Sequence, residues 1–147
     1  MNRRKMQLDI CRAMLTPNKK LYGVRTDNDE YAVTDGYVAY VFSCDECVFD
    51  KKKLAYYDQL ADALRDNKGD IELTRTGNLF GKREIVVEFD ADGKFKVYAK
   101  AEFVIKFEDY HLFAYSQGNR VLAKDDFGKT VGCFMPLRWG DTGNGNG

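Results

Sequence analysis

Between residues 21 and 43 three apolar runs are separated by very short breaks. Leu21–Thr26, Glu30–Thr34 and Tyr37–Ser43 read as strands, with Asp27-Asn28-Asp29 and Asp35-Gly36 as the turns between them. Asp, Asn and Gly tolerate tight or left-handed backbone, so these breaks reverse the chain. Strands joined by such short turns are antiparallel neighbours.

The flanking segments have helical periods. Met6, Ile10, Ala13 and Met14 recur at helical spacing, with Leu8, Cys11 and Leu15 widening the stripe, so residues 5–15 are expected to form an amphipathic helix. Thr16-Pro17 ends it, because the residue before proline avoids helical geometry. A second helix is expected over Lys51–Asp66, with Asp50 as N-cap, Leu54, Tyr57, Leu60, Ala61 and Leu64 as its apolar stripe, and Gly69 closing it. Strands are expected at Asp70–Arg75, Arg83–Phe89, Lys94–Lys100 and Ala101–Phe107, with Asp90-Ala91-Asp92-Gly93 as a hairpin turn. Glu108–Ser116 reads as a short third helix with Tyr110, Phe113 and Ala114 inward. Arg120–Lys124 and Thr130–Phe134 read as a final hairpin.

A weak repeat runs through this order. Cys47–Phe49, a helix and Ile71–Thr74 are echoed by Phe103–Phe107, a helix and Val121–Ala123, and the first helix with its three strands offers a third copy. Helices followed by antiparallel strands imply an α+β domain, an antiparallel sheet with two to three helices packed on one face. At 147 residues, 44% hydrophobic and 31% charged, the chain is sized for one such domain over residues 1–139, with a polar tail over residues 140–147 that is too poor in apolar residues to order itself.

No apolar run approaches the roughly 18 residues that span a bilayer. The basic start Met1-Asn2-Arg3-Arg4-Lys5 lacks the apolar core of a signal peptide, so a cytoplasmic protein with no membrane partner is expected. A net charge of zero hides an asymmetry. Residues 1–20 carry Arg3, Arg4, Lys5, Arg12, Lys19 and Lys20 against Asp9, while residues 26–50 carry Asp27, Asp29, Glu30, Asp35, Asp45, Glu46 and Asp50 with no Lys or Arg. Such a division can place a basic and an acidic face on one molecule.

Catalytic chemistry is thinly represented. Cys44-Asp45-Glu46-Cys47 has the spacing of half a zinc site, but the remaining donors, Cys11, Cys133 and the sole histidine His111, read as core or helix residues. No metal and no cofactor is expected. Gly77-Asn78-Leu79-Phe80-Gly81 lacks the Lys-Ser/Thr ending of a phosphate loop. The carboxylates fall in turns, where Asp favours bends, and no acid–base pair is indicated. The chain reads as no enzyme.

Two short motifs point elsewhere. Ala32-Val33-Thr34-Asp35-Gly36-Tyr37 is a strand entering a Thr-Asp-Gly turn, and Val131-Gly132-Cys133-Phe134-Met135-Pro136-Leu137-Arg138 is an apolar strand closed by Met-Pro. In order and context they resemble the bacterial DNA polymerase III β sliding clamp, whose domains are built from helices packed on antiparallel strands. The resemblance spans most of residues 5–138, taking in Cys47-Val48-Phe49, Lys51–Asp66, Asp70–Thr74, Phe103–Phe107 and Asp109-Tyr110-His111-Leu112. It departs from the family in two ways. The Asp-Gly is followed by Tyr37-Val38 where the family usually has His-Arg, and a clamp subunit has three domains.

The resemblance implies a hydrophobic pocket for a peptide motif of a polymerase or other replication protein, built from Thr34, Gly36, Tyr37, Cys133, Met135, Pro136 and Leu137. In the residues alone, Phe134 and Leu137 read equally as core, and Pro136 as a strand end. It also implies contact with duplex DNA phosphate through Arg3, Arg4, Lys5, Arg12, Lys19, Lys20, Lys51, Lys52 and Lys53, a contact without sequence reading. One domain cannot encircle a duplex, so a homo-oligomer is implied, for which the basic and acidic halves suit a head-to-tail contact. The expected function is a non-catalytic clamp-like binding or assembly module in DNA metabolism, of a kind a phage or mobile element could encode. The rival is an interaction module that keeps the fold without binding DNA, meeting partners through Tyr31, Tyr37, Tyr40, Tyr56 and Tyr57. A single-strand binder stacking bases on tyrosines is a third reading, and the tyrosines are not interleaved with bases as it requires.

Overall fold

The computed structural model describes residues 3–16, 20–27, 29–47 and 49–138, excluding the side chain at position 27. The expected tail over residues 140–147, Lys19, and parts of the Asp27-Asn28-Asp29 turn and the Cys47–Phe49 segment lie outside the described residues. The elements in order are α1 (Arg3–Leu15), β1 (Tyr22–Asp27), β2 (Glu30–Thr34), β3 (Val38–Ser43), β4 (Ala55–Tyr56), α2 (Gln59–Ala63), β5 (Ile71–Glu72), β6 (Thr74–Phe80), β7 (Val86–Ala91), β8 (Phe95–Lys100), α3 (Ala101–Val104), β9 (His111–Ala114), β10 (Val121–Lys124) and β11 (Thr130–Phe134). The fold class is α+β.

Eight strands form one sheet in the order β4-β1-β2-β3-β11-β10-β9-β5, and β6-β7-β8 form a second. Every pairing is antiparallel except the short β1–β4 contact. The large sheet is palindromic about its central seam, where Cys133 stands opposite Ala39 and Gly132 opposite Tyr40. The arms are β1-β2-β3 and β9-β10-β11, and each arm follows a helix, α1 or α3. The internal repeat is therefore this helix-plus-three-strands unit, used twice, rather than the strand–helix–strand unit expected around residues 47–74.

Alternation along the strands separates two cores. On one face Val33, Val38, Tyr40, Phe42 and Phe134 pack against Met6, Ile10 and Ala13 of α1, against Val104 and Phe107, and against Val87, Phe89, Val97 and Ala99 of the small sheet. On the other face Val24, Ala32, Ala39, Val41, Leu122 and Cys133 meet Leu60 of α2 and the adjoining Leu64. Two helices share a face, and α2 lies on the opposite one. The Phe107 ring stacks on Phe134 at 5.9 Å and 20°. It fits because position 132 is glycine, where a Cβ would lie 2.7 Å from that ring and 2.4 Å from the Ala39 carbonyl oxygen.

Three sequence expectations are corrected. The segment Lys51–Asp66 is not one helix: Asp50 caps only a 3-10 turn, Lys51–Lys53, accepting from the Lys52 N–H at 3.0 Å. The chain then docks on β1, with the Ala55 N–H donating to Leu21 O at 3.0 Å and Tyr57 N–H to Gly23 O at 3.3 Å. Edge pairing outweighs helix propensity there, leaving α2 as a short remnant of the predicted stripe. Ala101–Phe107, read as a strand, is α3 followed by a 3-10 turn, Ile105–Phe107. Val104 and Phe107 are three residues apart and face one core, so the helical period governs. Glu108–Ser116, read as a helix, supplies β9, where Leu112 and Ala114 are buried at the strand period of two. Among the described residues no helix is long and apolar enough to cross a membrane.

Candidate peptide groove

The turn after β2 is built from its own side chains. Thr34 Oγ1 donates to Val38 O at 2.8 Å and accepts from the Gly36 N–H at 2.9 Å. Asp35 Oδ1 accepts from the N–H groups of Tyr37 at 2.9 Å and Val38 at 3.0 Å. Gly36 sits at φ +103°, a conformation that L side chains rarely adopt. The result is a hydrogen-bonded loop on which Tyr37 is 64% exposed. Beyond β11, the Met135 N–H donates to Tyr37 O at 2.9 Å, fastening the end of the last strand to this turn.

The Thr-Asp-Gly turn and the Met-Pro strand end therefore form one wall. Beside it lies an open groove of about 380 Å³ on the α2 face of the sheet, lined by Thr34, Gly36, Tyr37, Cys133 and Met135. Tyr22, Ala39, Tyr57, Gln59, Leu60, Ala63 and Phe134 complete it. Tyr22 and Tyr57 meet at 5.7 Å between ring centroids, and Lys20 Nζ lies 5.6 Å over the Tyr22 ring. Burial pushes the Cys133 thiol up to about 12, so at neutral pH it is a protonated, apolar part of the floor.

Comparison with known proteins finds no family model, curated protein or solved structure that matches this chain. Its function has to be read from the groove and the surfaces around it.

Two residues expected in the pocket do not line it. Pro136 is buried, and the Leu137 N–H donates to Tyr98 O at 2.7 Å, a bridge that carries the chain onto β8. The proline directs the chain away from the groove. Conversely, sequence reasoning missed Tyr22, Gln59, Leu60 and Ala63, although the stripe Tyr57, Leu60, Ala61, Leu64 carried the signal for this wall.

The expected basic set is distributed over both faces. Arg3 is bonded to Glu46, its Nε at 3.2 Å from Oε2, and to Val41 O at 2.9 Å. Arg4, Lys5 and Arg12 are exposed on α1, with Arg12 at 4.0 Å from Asp9. Leu8 and Leu15 are exposed on the same helix, at 54% and 79%. Lys51 lies over the Tyr31 ring at 5.5 Å, Lys20 belongs to the groove side, and Lys52 and Lys53 are exposed. A larger cleft of about 720 Å³ opens between α1 and α3, its rim carrying both signs of charge through Asp9, Arg12, Glu102 and Lys106.

His111 is a strand residue and not a helical one. Its Nδ1 lies 3.0 Å from Glu72 Oε2 and its Nε2 2.8 Å from Asp126 Oδ1, and hydrogen bonding to Asp126 and then Glu72 raises its pKa. Cys44 and Cys47 are free thiols on and beside a 3-10 turn, and the Cys47 S–H donates to Ser43 O at 3.4 Å. Among the described residues no group of His, Cys, Asp and Glu is arranged to hold a metal ion.

Proposed function

We propose that this chain is a non-catalytic binding module that holds a short apolar segment of a partner protein in the groove between the 34–37 turn, the end of β11 and α2. The observation that carries the proposal is the Met135–Tyr37 backbone bond, which joins in one wall the two motifs that resemble those of the sliding clamp. The groove volume of about 380 Å³ falls in the roughly 300–1,000 Å³ range of ligand sites. Its lining suits the role: Met135 offers adaptable apolar surface, and Tyr22, Tyr37 and Tyr57 give large contact areas at low entropic cost. The clamp resemblance makes DNA metabolism the setting, with a polymerase or other replication protein as the partner.

Duplex DNA is the setting and not the principal ligand in this reading. The expected bases are divided between two faces, one of them is engaged by Glu46, and exposed Leu8 and Leu15 interrupt those on α1. Phosphate binding gains from a continuous basic track.

The test is selection of a random peptide library on the wild-type protein, followed by titration of the enriched peptides against wild type and Met135→Glu. Enriched peptides are expected to carry apolar and aromatic residues and to bind the variant at least tenfold more weakly, a difference of about 1.4 kcal/mol. Peptides that bind both proteins equally would remove the groove from the function. A salt-sensitive complex with duplex DNA that is unaffected by groove peptides would favour the encircling clamp instead.

A further inference from the structure

Phe127 is 95% exposed, the highest value among the large hydrophobic residues described. It stands at the tip of the hairpin joining β10 to β11, and the backbone of the tip is tied by its own hydrogen bonds. The Gly128 N–H donates to Asp125 O at 3.0 Å, and Asp125 Oδ1 accepts from the N–H groups of Phe127 and Lys129, both at 2.9 Å. His111 Nε2 holds the adjacent Asp126 at 2.8 Å. These bonds shape the backbone that carries Phe127, so a partner covering the ring has little loop backbone left to order.

The groove and this tip lie at opposite ends of β11: the tip precedes Thr130, and the groove wall begins at Cys133. The three steps from Thr130 to Cys133 span roughly 10 Å, and the tip lies beyond Thr130, so it does not reach the groove of its own chain. The two are complementary in chemistry. Phe127 is flanked by Asp125 and Asp126, and the groove presents aromatic and thioether surface with Lys20 over Tyr22 at its margin.

We propose that the hairpin tip of one copy, led by Phe127, enters the groove of a second copy. This inference rests on the groove being a site for short protein segments. The contact joins two different surfaces, so it is heterologous and repeats head to tail, closing into a ring or extending as a chain. One tip in one groove is smaller than the roughly 1,200 Å² at which stable interfaces begin, so the assembly is reversible and concentration-dependent. A bound partner segment and a neighbour's tip compete for the same groove.

The experiment is sedimentation velocity of the full chain over a wide concentration range, for wild type, Phe127→Ala and Met135→Glu. Wild type is expected to gain mass with concentration, and each variant alone to stay monomeric. Mixed in equal amounts, the variants are expected to form a dimer and nothing larger, because Phe127→Ala retains a groove and Met135→Glu retains a tip. Tyr57→Lys replaces Met135→Glu if thermal melting shows that the latter is unfolded. Assembly by Phe127→Ala as strong as that of wild type, or variants that fail to complement, overturns the proposal. A monomeric wild type that still binds selected peptides overturns self-assembly alone. Peptides that bind Met135→Glu as well as wild type overturn the groove reading beneath it.

Discussion

Arg120 and Asp70 form a two-pronged ion pair inside the protein, Nη1 to Oδ1 at 2.9 Å and Nη2 to Oδ2 at 3.1 Å, with side chains only 8% and 7% exposed. The guanidinium also donates through Nε to Ala63 O at 3.0 Å and through Nη2 to Arg65 O at 2.8 Å, and lies 5.1 Å over the Tyr115 ring. Ala63 and Arg65 are where α2 runs out, so the arginine satisfies carbonyls that the helix cannot. A helix of five residues has no independent stability. Arg120 fixes it in place, and with it Leu60 and Ala63 of the groove.

Arg120→Ala should therefore be severely destabilising. It strands a buried carboxylate and two carbonyls, at a cost of about 3–5 kcal/mol. Arg120→Lys keeps the charge but loses the fork and should fall in between. Urea unfolding measures both. A loss for Arg120→Ala below about 1 kcal/mol, the range of surface pairs, would show that the pair is not a structural anchor.

Gly132→Ala should destabilise by about 1–3 kcal/mol through overpacking. The added methyl must displace either the Phe107 ring or the Ala39 backbone across the central seam. Thermal melts of Gly132→Ala and of Gly132→Ala/Phe107→Leu separate these. Partial rescue by the smaller side chain assigns the clash to the ring, and none assigns it to the seam.

His111 gives the fold a pH-dependent tie. Both ring nitrogens face carboxylates, which only accept, so the arrangement is complete with imidazolium alone. The folded pKa is raised above 6.5, so the contribution is full below that value and is lost as pH rises through the raised one. His111→Gln should flatten this part of the pH–stability curve. The titration of the His111 ring followed by NMR should have its midpoint above 6.5. A midpoint below that value would show that the two carboxylates do not hold the imidazolium.

Glu46 acts in the opposite direction. Its hydrogen bond from Arg3 lowers its pKa below 4.5, so this tie between α1 and the turn after β3 is present above the ordinary carboxylate range and lost as pH falls through the lowered value. Glu46→Gln should lose stability near neutral pH and converge on wild type in acid. Parallel curves for the two proteins would rule out a role for this carboxylate's charge.

The strands from residue 21 to 43 were legible because their pairing is local and their turns are written in Asp and Gly. Helix α1 was legible because Met6, Ile10 and Ala13 recur at helical spacing and are buried, although Gln7 is buried beside them and Leu8 and Leu15, expected to widen the stripe, are exposed. Residues 51–66 were misread because nothing in Ala55-Tyr56 announces that it docks on β1, a contact decided by tertiary structure. In Ala101–Phe107 the apolar residues satisfy both the strand and the helix period, and only the choice of core separates them. The groove was half legible. Its turn and strand end are short motifs close to their own backbone, whereas Tyr22, Leu60 and Ala63 arrive from elements whose arrangement the sequence does not spell out.

The palindromic sheet also sets an order of events during folding. Its central seam joins β3 to β11, so the middle of the sheet is sealed by two strands far apart in the chain, Val38–Ser43 and Thr130–Phe134. Each arm can form locally, but a nascent chain carries β3 as an open edge until β11 arrives, and such long-range closure is slow. The groove straddles that seam, with Tyr37 on one side and Met135 on the other. A partially made molecule therefore has no groove, and binding competence appears only at the step that completes the sheet.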